Sequence, residues 1–378
     1  MRIVQPSVMM YDTPAPTEHD EVLKFIEKIG RTCYKSEDKI TEESAYKFIN
    51  DLKTRKHWAM LEHYIFIVET NDAEFYYFSM DKKHAAAGRY VGYLDKLKYI
   101  SITDRSIGAK ISSDKSYISA SPTAINYLLE SDYIRDSDWG ISAGPNANVL
   151  LEIPEIVYFA LYINRTYPEL IRIPDFVTER LQQIFDKYGT NQDELDKIID
   201  DRFFGYVTTE ELYRRAEANP ADMEHFIAHG WNSVLFTVDR GVSHEIVRHR
   251  PASYAQSSTR YCSYDKGKFG SEITVIEPFF FTPGTEKYEI WKEGCLAAEK
   301  AYMSLMALPG TVAQEARSVL PNSLMTEVNM TAKISEWQHF FKMRADKAAH
   351  PQMRQVAYPL LNMFAERYGL IFESKNDQ

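Results

Sequence analysis

Strand-spaced and helix-spaced apolar runs alternate along this 378-residue chain, and that alternation limits it to folds in which helices pack on sheet. Arg2-Ile3-Val4 reads as a short strand. Val22, Phe25, Ile26 and Ile29 then share one face of a helix predicted from His19 to Gly30. Thr41-Glu-Glu-Ser44 leads into a second helix carrying Ala45, Phe48, Ile49 and Leu52, and Tyr64 to Glu69 reads as a strand. Ser233 to Val238 is the next clear strand, followed by a turn at Asp239-Arg-Gly241 and a helix from Val242 to His249. A polar, Ser-rich loop is expected up to Tyr264, then a strand over Ile273–Ile276. Helices are expected from Thr285 to Met306, Thr311 to Val319, Thr331 to Arg344 and Pro351 to Tyr368, the last with Pro suitably at its first position. The class expected is α/β (α+β).

Residues 70–225 differ in texture. They are rich in Tyr, Ser and Asp and carry no recognisable chemical motif. Lys98–Ile102 reads as a strand, and Phe176 to Tyr188 and Gln192 to Phe203 as helices. Val177, Leu181, Ile184 and Phe185 form an apolar face, so this stretch is expected to bury a core of its own as an inserted subdomain or lid. No internal repeat or low-complexity tract is visible.

The formal net charge of −10 argues against a general nucleic-acid coat, while leaving room for a local basic pocket. Cys33, Cys262 and Cys295 form no C-x-x-C pair; an odd number at wide spacing suggests reduced thiols and a cytoplasmic protein. Asp12 falls where a signal peptide needs an apolar run. The most apolar stretch, Val149 to Ile163, is interrupted by Glu152, Pro154 and Glu155, so no membrane span is expected.

The densest polar segment runs from Arg248 to Tyr261. It offers three guanidiniums (Arg248, Arg250, Arg260), the imidazole of His249, the hydroxyls of Ser253, Ser257, Ser258 and Thr259, and the amide of Gln256. Arginine forks grip phosphate in bidentate fashion, and hydroxyls with loop N–H groups complete such a cradle. Composition alone leaves a solvated Arg/Ser loop equally open. A second cluster, Arg317 to Arg344, places Lys333, Ser335, His339 and Arg344 on or near one helix beside Trp337, Phe340, Phe341 and Met343. Two arginine clusters in an acidic chain favour a shared anionic ligand. His244-Glu245-Ile-Val-Arg-His249 resembles a zinc-protease helix, but its histidines are five apart and not four, so they diverge; no metal site is expected.

Arg248-His249-Arg250 followed by Ser258 matches the R-H-R-x7-S signature, and on it the chain resembles the flavin-dependent thymidylate synthases, the ThyX family. DRGVSHEIVRHR (239–250), STRYCSYDKGKFG (258–270), LPNSL (320–324), AHPQMR (349–354), GRTCYKSEDKITEES (30–44) and LEH (61–63) are similar to longer members of that family. The resemblance covers about 1–66 and 231–372. It implies a discontinuous core of 1–66 and 231–378, with a twisted central sheet flanked by helices, and an insertion at 67–230. It also implies a homotetramer with sites shared between subunits. FAD would be reduced by NADPH, methylene-tetrahydrofolate would supply the carbon to dUMP, and no cysteine nucleophile would be needed.

By the same resemblance Arg248, His249, Arg250, Gln256, Lys333, Ser335 and His339 would serve FAD. Glu245, Arg248, Gln256, Ser257, Ser258, Thr259, Arg260 and Arg317 would serve dUMP. Arg344 would face the uracil and favour its N3-ionised form, and His63 would lie near the folate entrance. The chain departs from the family pattern at Gln256, where many members have Glu. It departs again at Lys333 and Ser335, where Asn and Arg are usual, and at Gln338, which replaces a common Arg. About 165 residues also separate the LEH strand from the next. Two alternatives therefore stand: flavin chemistry such as hydroxymethylation on another pyrimidine nucleotide, or a non-catalytic nucleotide-binding homologue.

Overall fold

The computed structural model describes residues 1–55, 57–70, 101–102, 116–136, 138–139, 149–265 and 270–374. Two compact units divide the chain: one of Met1–Thr13, Glu27–Thr41 and Asn232–Gln378, the other of Pro14–Ile26 and Glu42–Trp231. Residues 42–66, grouped with the core on sequence grounds, cluster with the second unit. At the end of this stretch begins β3 (Phe66–Thr70), buried at every position and paired antiparallel on both edges, to β5 (Ser116–Ala120) and β6 (Phe203–Tyr206).

The first unit holds a two-stranded parallel pair, β1 (Arg2–Val4) with β9 (Thr274–Ile276). It also holds a four-stranded sheet in the order β2 (Ser7–Met10), β7 (Trp231–Asp239), β10 (Met325–Lys333), β8 (Ala252–Gln256). Val234, Phe236 and Val238 of β7 and Val328, Met330 and Ala332 of β10 are all buried. The helices Ile334–Arg344 and Pro351–Arg367 supply a buried aromatic group in which Trp337 lies 5.2 Å from Phe364 and Phe341 lies 5.1 Å from Phe364. Met1, Ile3, Tyr264, Trp291 and Leu320 pack on a smaller core of Ile273, Val275, Cys295 and Leu324.

Three local expectations are corrected in this unit. The Ser-rich stretch after Arg250 is not all loop: Ala252–Gln256 forms β8, in register with Val328–Ala332 of β10. Its small, alternating residues fit a half-covered strand once a partner supplies the hydrogen bonds. The helix expected from Thr331 begins at Ile334, because Thr331 to Lys333 remain in the ladder of β10. The helix expected over 311–319 is two short turns, Ala313–Ala316 and Arg317–Val319.

The second unit contains the sheet β4 (Ser101–Ile102), β5, β3, β6. Residues 98–100 of the strand expected there lie outside the described residues. The helix Asp175–Tyr188 buries Val177, Leu181 and Ile184 and ends on Gly189, whose φ of +67° suits a C-terminal cap. Asn191 and Thr208 cap the helices Gln192–Arg202 and Thr209–Ala218 through their side chains. Tyr64, Phe66, Tyr167 and Trp231 are fully buried, with Tyr64 and Trp231 in edge contact at 5.3 Å. These residues give the unit its own core. Among the described residues no helix is long and apolar enough to cross a membrane.

Candidate functional site

Asp239 ends β7 and starts the helix that carries the first site residues. Its Oδ1 accepts the backbone N–H of Val242 at 2.8 Å, a cap on the helix Arg240–Ile246, while Oδ2 accepts from Gln352 Nε2 at 2.7 Å. The cap starts the helix two residues earlier than the sequence reading placed it. Gly241 is required by close approach: a Cβ there would meet Asn322 Nδ2 at 2.8 Å and Asp239 Oδ1 at 3.0 Å. The helix stops at Ile246, which leaves the R-H-R triplet on the turn that leads into β8.

The triplet splits in environment. Arg248 and Arg250 are exposed, and His249 between them is buried. Nε of Arg344 donates to His249 Nε2 at 3.0 Å. An imidazole nitrogen that accepts carries no proton, so His249 is neutral with its hydrogen on Nδ1. Burial, with Arg344 and His339 nearby, lowers its pKa to about 4. Its ring lies 4.9 Å from that of Phe340 and 5.7 Å from that of His339.

Arg344, on the last turn of the helix Ile334–Arg344, also donates through Nη1 to the Glu245 carboxylate at 2.5 Å and through Nη2 to the Glu245 carbonyl at 2.9 Å. The structure therefore brings Arg344 together with Glu245 and His249, which lie almost a hundred positions before it in the sequence. A guanidinium has five N–H donors; two remain for a ligand here.

The loop after β8 is held by the sheet. Gln256 Nε2 donates to Ser243 Oγ at 3.1 Å and to Thr326 Oγ1 at 3.2 Å, and Thr326 Oγ1 lies 3.1 Å from Ser257 Oγ. Ser257 N–H donates to the Glu327 carbonyl at 2.9 Å and Ser258 N–H to the Cys33 carbonyl at 3.0 Å. Arg317 Nη1 donates to Thr259 Oγ1 at 3.4 Å, and Arg260 is exposed with its guanidinium 5.5 Å from the centre of the Tyr261 ring. Gln256 through Arg260 and Arg317 thus lie on one connected loop system.

Lys333 occupies the N-cap position of the helix bearing Ser335 and His339, without a side-chain cap hydrogen bond. Burial pushes its ammonium down to about 7, with Glu336 acting in the opposite sense. It makes no hydrogen bond or ion pair among the described residues. His339 is exposed. His63 belongs to the second compact unit, where it ends the turn Trp58–His63 and is fully buried.

Sequence reasoning missed Arg240, Thr326, Glu327 and Lys35. Arg240 had been read only as part of a turn. It is half-buried, donates through Nη1 to Thr326 Oγ1 at 3.4 Å, and has its pKa lowered by burial and by the neighbouring Arg317 cation. The D-R-G triplet was the available signal, since a cation that opens a helix beside a basic loop is costly without an anion. Thr326 and Glu327 lie on β10, whose strand character was hidden by its polar start. Among the described residues no group of three or more His, Cys, Asp or Glu side chains is arranged to hold a metal ion.

Chemically, the arrangement suits an anionic ligand with a polarisable ring. Arg240, Arg260 and Arg317 have no carboxylate partner among the described residues, hydroxyls surround them, and a fixed cation, Arg344, stands on a buried neutral imidazole. The family model described as "Thymidylate synthase complementing protein" matches residues 210–368. A flavin-dependent thymidylate synthase of Pyrococcus furiosus is 31% identical over 176 residues, covering 44% of this chain and 70% of that protein. One of Geobacter sulfurreducens is 29% identical over 171 residues, covering 42% of this chain and 72% of that protein. One of Mycobacteroides abscessus is 29% identical over 181 residues, covering 42% and 70% respectively.

Proposed function

Because the chain belongs to the flavin-dependent thymidylate synthase family, we propose that it methylates dUMP to dTMP, using FAD, NADPH and methylene-tetrahydrofolate. The observation that carries this reading is the junction of two features. Arg344 joins Glu245 and His249 at the turn before β8, and the hydroxyl-bearing stretch Ser257–Arg260, met by Arg317, follows β8 directly.

The donor set fits a cofactor bearing a pyrophosphate. Arg248 and Arg250 are exposed guanidiniums with no ion pair among the described residues, and the half-buried Lys333 ammonium gains from any anion brought beside it. Arg248, His249, Arg250, Lys333, Ser335 and His339 would hold FAD, which supplies the hydride chemistry when bound. Ser257, Ser258, Thr259, Arg260 and Arg317, joined by Arg240, would hold the phosphate of dUMP. Gln256 orients that loop through Ser243 and Thr326.

Arg344 acts on the base. Its guanidinium is fixed by Glu245 and by the neutral His249, so it reaches the uracil without reorganising and stabilises negative charge that develops at N3 and its neighbouring carbonyl. A neutral His249 matters here, because a second cation at that point would push Arg344 away from its seat. The enzyme would work as a cytoplasmic homotetramer, with His63 serving the folate side.

The test is tritium release from C5-labelled dUMP, with NADPH and folate present or omitted. Release that depends on both is expected; none under any condition would overturn the reading. Arg260→Ala is expected to raise the Kd for dUMP about tenfold, the loss of one charge-assisted bond. Arg344→Ala is expected to lower kcat more than it raises KM. Equal binding defects with unchanged kcat would remove the role given to Arg344.

A further inference from the structure

The segment Arg31–Ser36 enters the site from the N-terminal part of the first unit, and no role in binding or catalysis has been given to it so far. Its backbone holds one residue of the nucleotide loop directly, and one of its side chains holds the β10 residue that contacts the neighbouring loop residue. The Cys33 carbonyl accepts the N–H of Ser258 at 3.0 Å. Two residues on, the Lys35 ammonium is ion-paired with the Glu327 carboxylate. Glu327, on β10, brackets Ser257 from both sides: its carbonyl accepts Ser257 N–H at 2.9 Å, and its own N–H donates to Ser257 Oγ at 3.1 Å.

These contacts form a closed ring. It runs from Ser257 to Ser258 along the chain, across to Cys33, along the chain to Lys35, through the ion pair to Glu327, and back to Ser257. The three segments are far apart in sequence, with 292 positions between Lys35 and Glu327 alone. Only the ion pair is a side-chain to side-chain link; the other closures use the backbone or one hydroxyl. Both partners are largely shielded, with Lys35 at 16% and Glu327 at 20% side-chain exposure, so the pair is less screened than a surface one.

Lys35 also takes a backbone conformation that a lysine rarely adopts, with φ of +47°. A non-glycine residue at positive φ persists where its surroundings hold it there. Here its ammonium is held by Glu327, with Glu37 a looser neighbour at 3.8 Å. The ring of Tyr34 lies 5.8 Å from that of Tyr261, a further contact between this segment and the residues that follow Ser258.

We propose that Lys35 is a positioning residue for the nucleotide loop: its ion pair with Glu327 fastens the Arg31–Ser36 strap across Ser257 and Ser258 and sets their hydroxyls for the phosphate of a pyrimidine nucleotide. The proposal rests on the functional reading above. Lys35 touches no ligand itself. It acts by reducing the freedom the loop would otherwise surrender on binding, which is a gain in affinity by pre-organisation.

Lys35→Gly is the informative variant, because glycine adopts the +47° φ freely and keeps the turn while removing the ammonium. Two quantities are measured: hydrogen exchange at the Ser257 and Ser258 amides in the free protein, and the Kd for dUMP. Lys35→Gly is expected to exchange about tenfold faster at both amides and to bind dUMP about tenfold more weakly, with kcat at saturation within about twofold. The swapped pair Lys35→Glu with Glu327→Lys is expected to restore much of both losses, which a purely steric role would not produce. Unchanged exchange, or faster exchange with an unchanged Kd, overturns the proposal. Wild-type protein that binds no dUMP yet shows the exchange difference would instead sink the functional reading, leaving the strap as a hold on the loop alone.

Discussion

Each compact unit contains an arginine-centred network, and the two are closed on different terms. In the second unit Arg215 donates through Nη1 to Glu69 at 2.7 Å and to the Tyr117 hydroxyl at 2.7 Å, and through Nε to Glu211 at 2.8 Å. Arg214 shares Glu211 at 2.5 Å. Two guanidiniums thus face two carboxylates. In the first unit Arg344 has one carboxylate, Glu245, while Arg240, Arg248, Arg250, Arg260 and Arg317 have none among the described residues. Charge balanced inside the protein is structural. Charge left unbalanced on a loop built of hydroxyls and backbone N–H groups is, on the function proposed above, held for a ligand. The same residue type therefore carries opposite meanings in the two units, and stability and binding experiments separate them.

The largest effect is expected in the balanced network. Glu69 has 11% side-chain exposure and Arg215 has 24%. Arg215→Ala leaves Glu69 without its guanidinium, at a cost of about 3 kcal/mol. A lowered urea midpoint for the second unit, with dUMP affinity unchanged, is the expected result. A loss below about 1 kcal/mol would show that the network is ornamental and would weaken the contrast.

The next effect is the pH dependence that His249 contributes in the first unit. His249 has its folded pKa lowered to about 4, against an ordinary value of 6.5. Between those values the unfolded chain binds a proton that the folded site refuses. Stability is therefore full above about pH 6.5 and falls as pH drops toward 4, by about 3 kcal/mol in all. Protonation would also remove the acceptor for Arg344 Nε and set two cations side by side. His249→Asn should flatten the difference in stability between pH 7 and pH 4. An equally steep curve in that variant would assign the acid sensitivity to carboxylates elsewhere.

The same contrast explains what was legible in the sequence. Helices with a clear apolar face were read within a few residues of their bounds: Asp175–Tyr188 shows its Val177, Leu181 and Ile184 stripe to inspection. The strands β8 and β10 were not: β8 offers only small and polar residues, and in β10 the apolar alternation of Val328, Met330 and Ala332 is interleaved with Asn329 and Thr331, polar residues that are buried as well. The candidate site was legible as a cluster only where its residues share one segment, as from Arg248 to Arg260. Residues that matter by pairing across hundreds of positions were not: Lys35 with Glu327 is a fact of topology, and neither residue is unusual alone.

The smallest effect on stability is expected where the charges are unbalanced, and it discriminates best between the two kinds of arginine. Arg248 and Arg260 are exposed and make no ion pair among the described residues, so their removal deletes little that folding had gained. It relieves like-charge repulsion in a segment that also holds Arg250 and sits near Arg317. Arg248→Ala and Arg260→Ala should each leave the unfolding free energy within about 0.5 kcal/mol of wild type, and a slight gain is as expected as a slight loss. Against that flat background Arg248→Ala should lose flavin content and Arg260→Ala should lose dUMP affinity, each about tenfold. The decisive measurement is thermal unfolding with and without ligand. Wild-type protein should be stabilised by saturating dUMP by several degrees and Arg260→Ala by much less, while their ligand-free midpoints coincide. If the ligand-free midpoint of Arg260→Ala falls as far as that of Arg215→Ala, the loop arginine is structural after all, and an unpaired guanidinium would lose its meaning as the mark of a binding site in this chain.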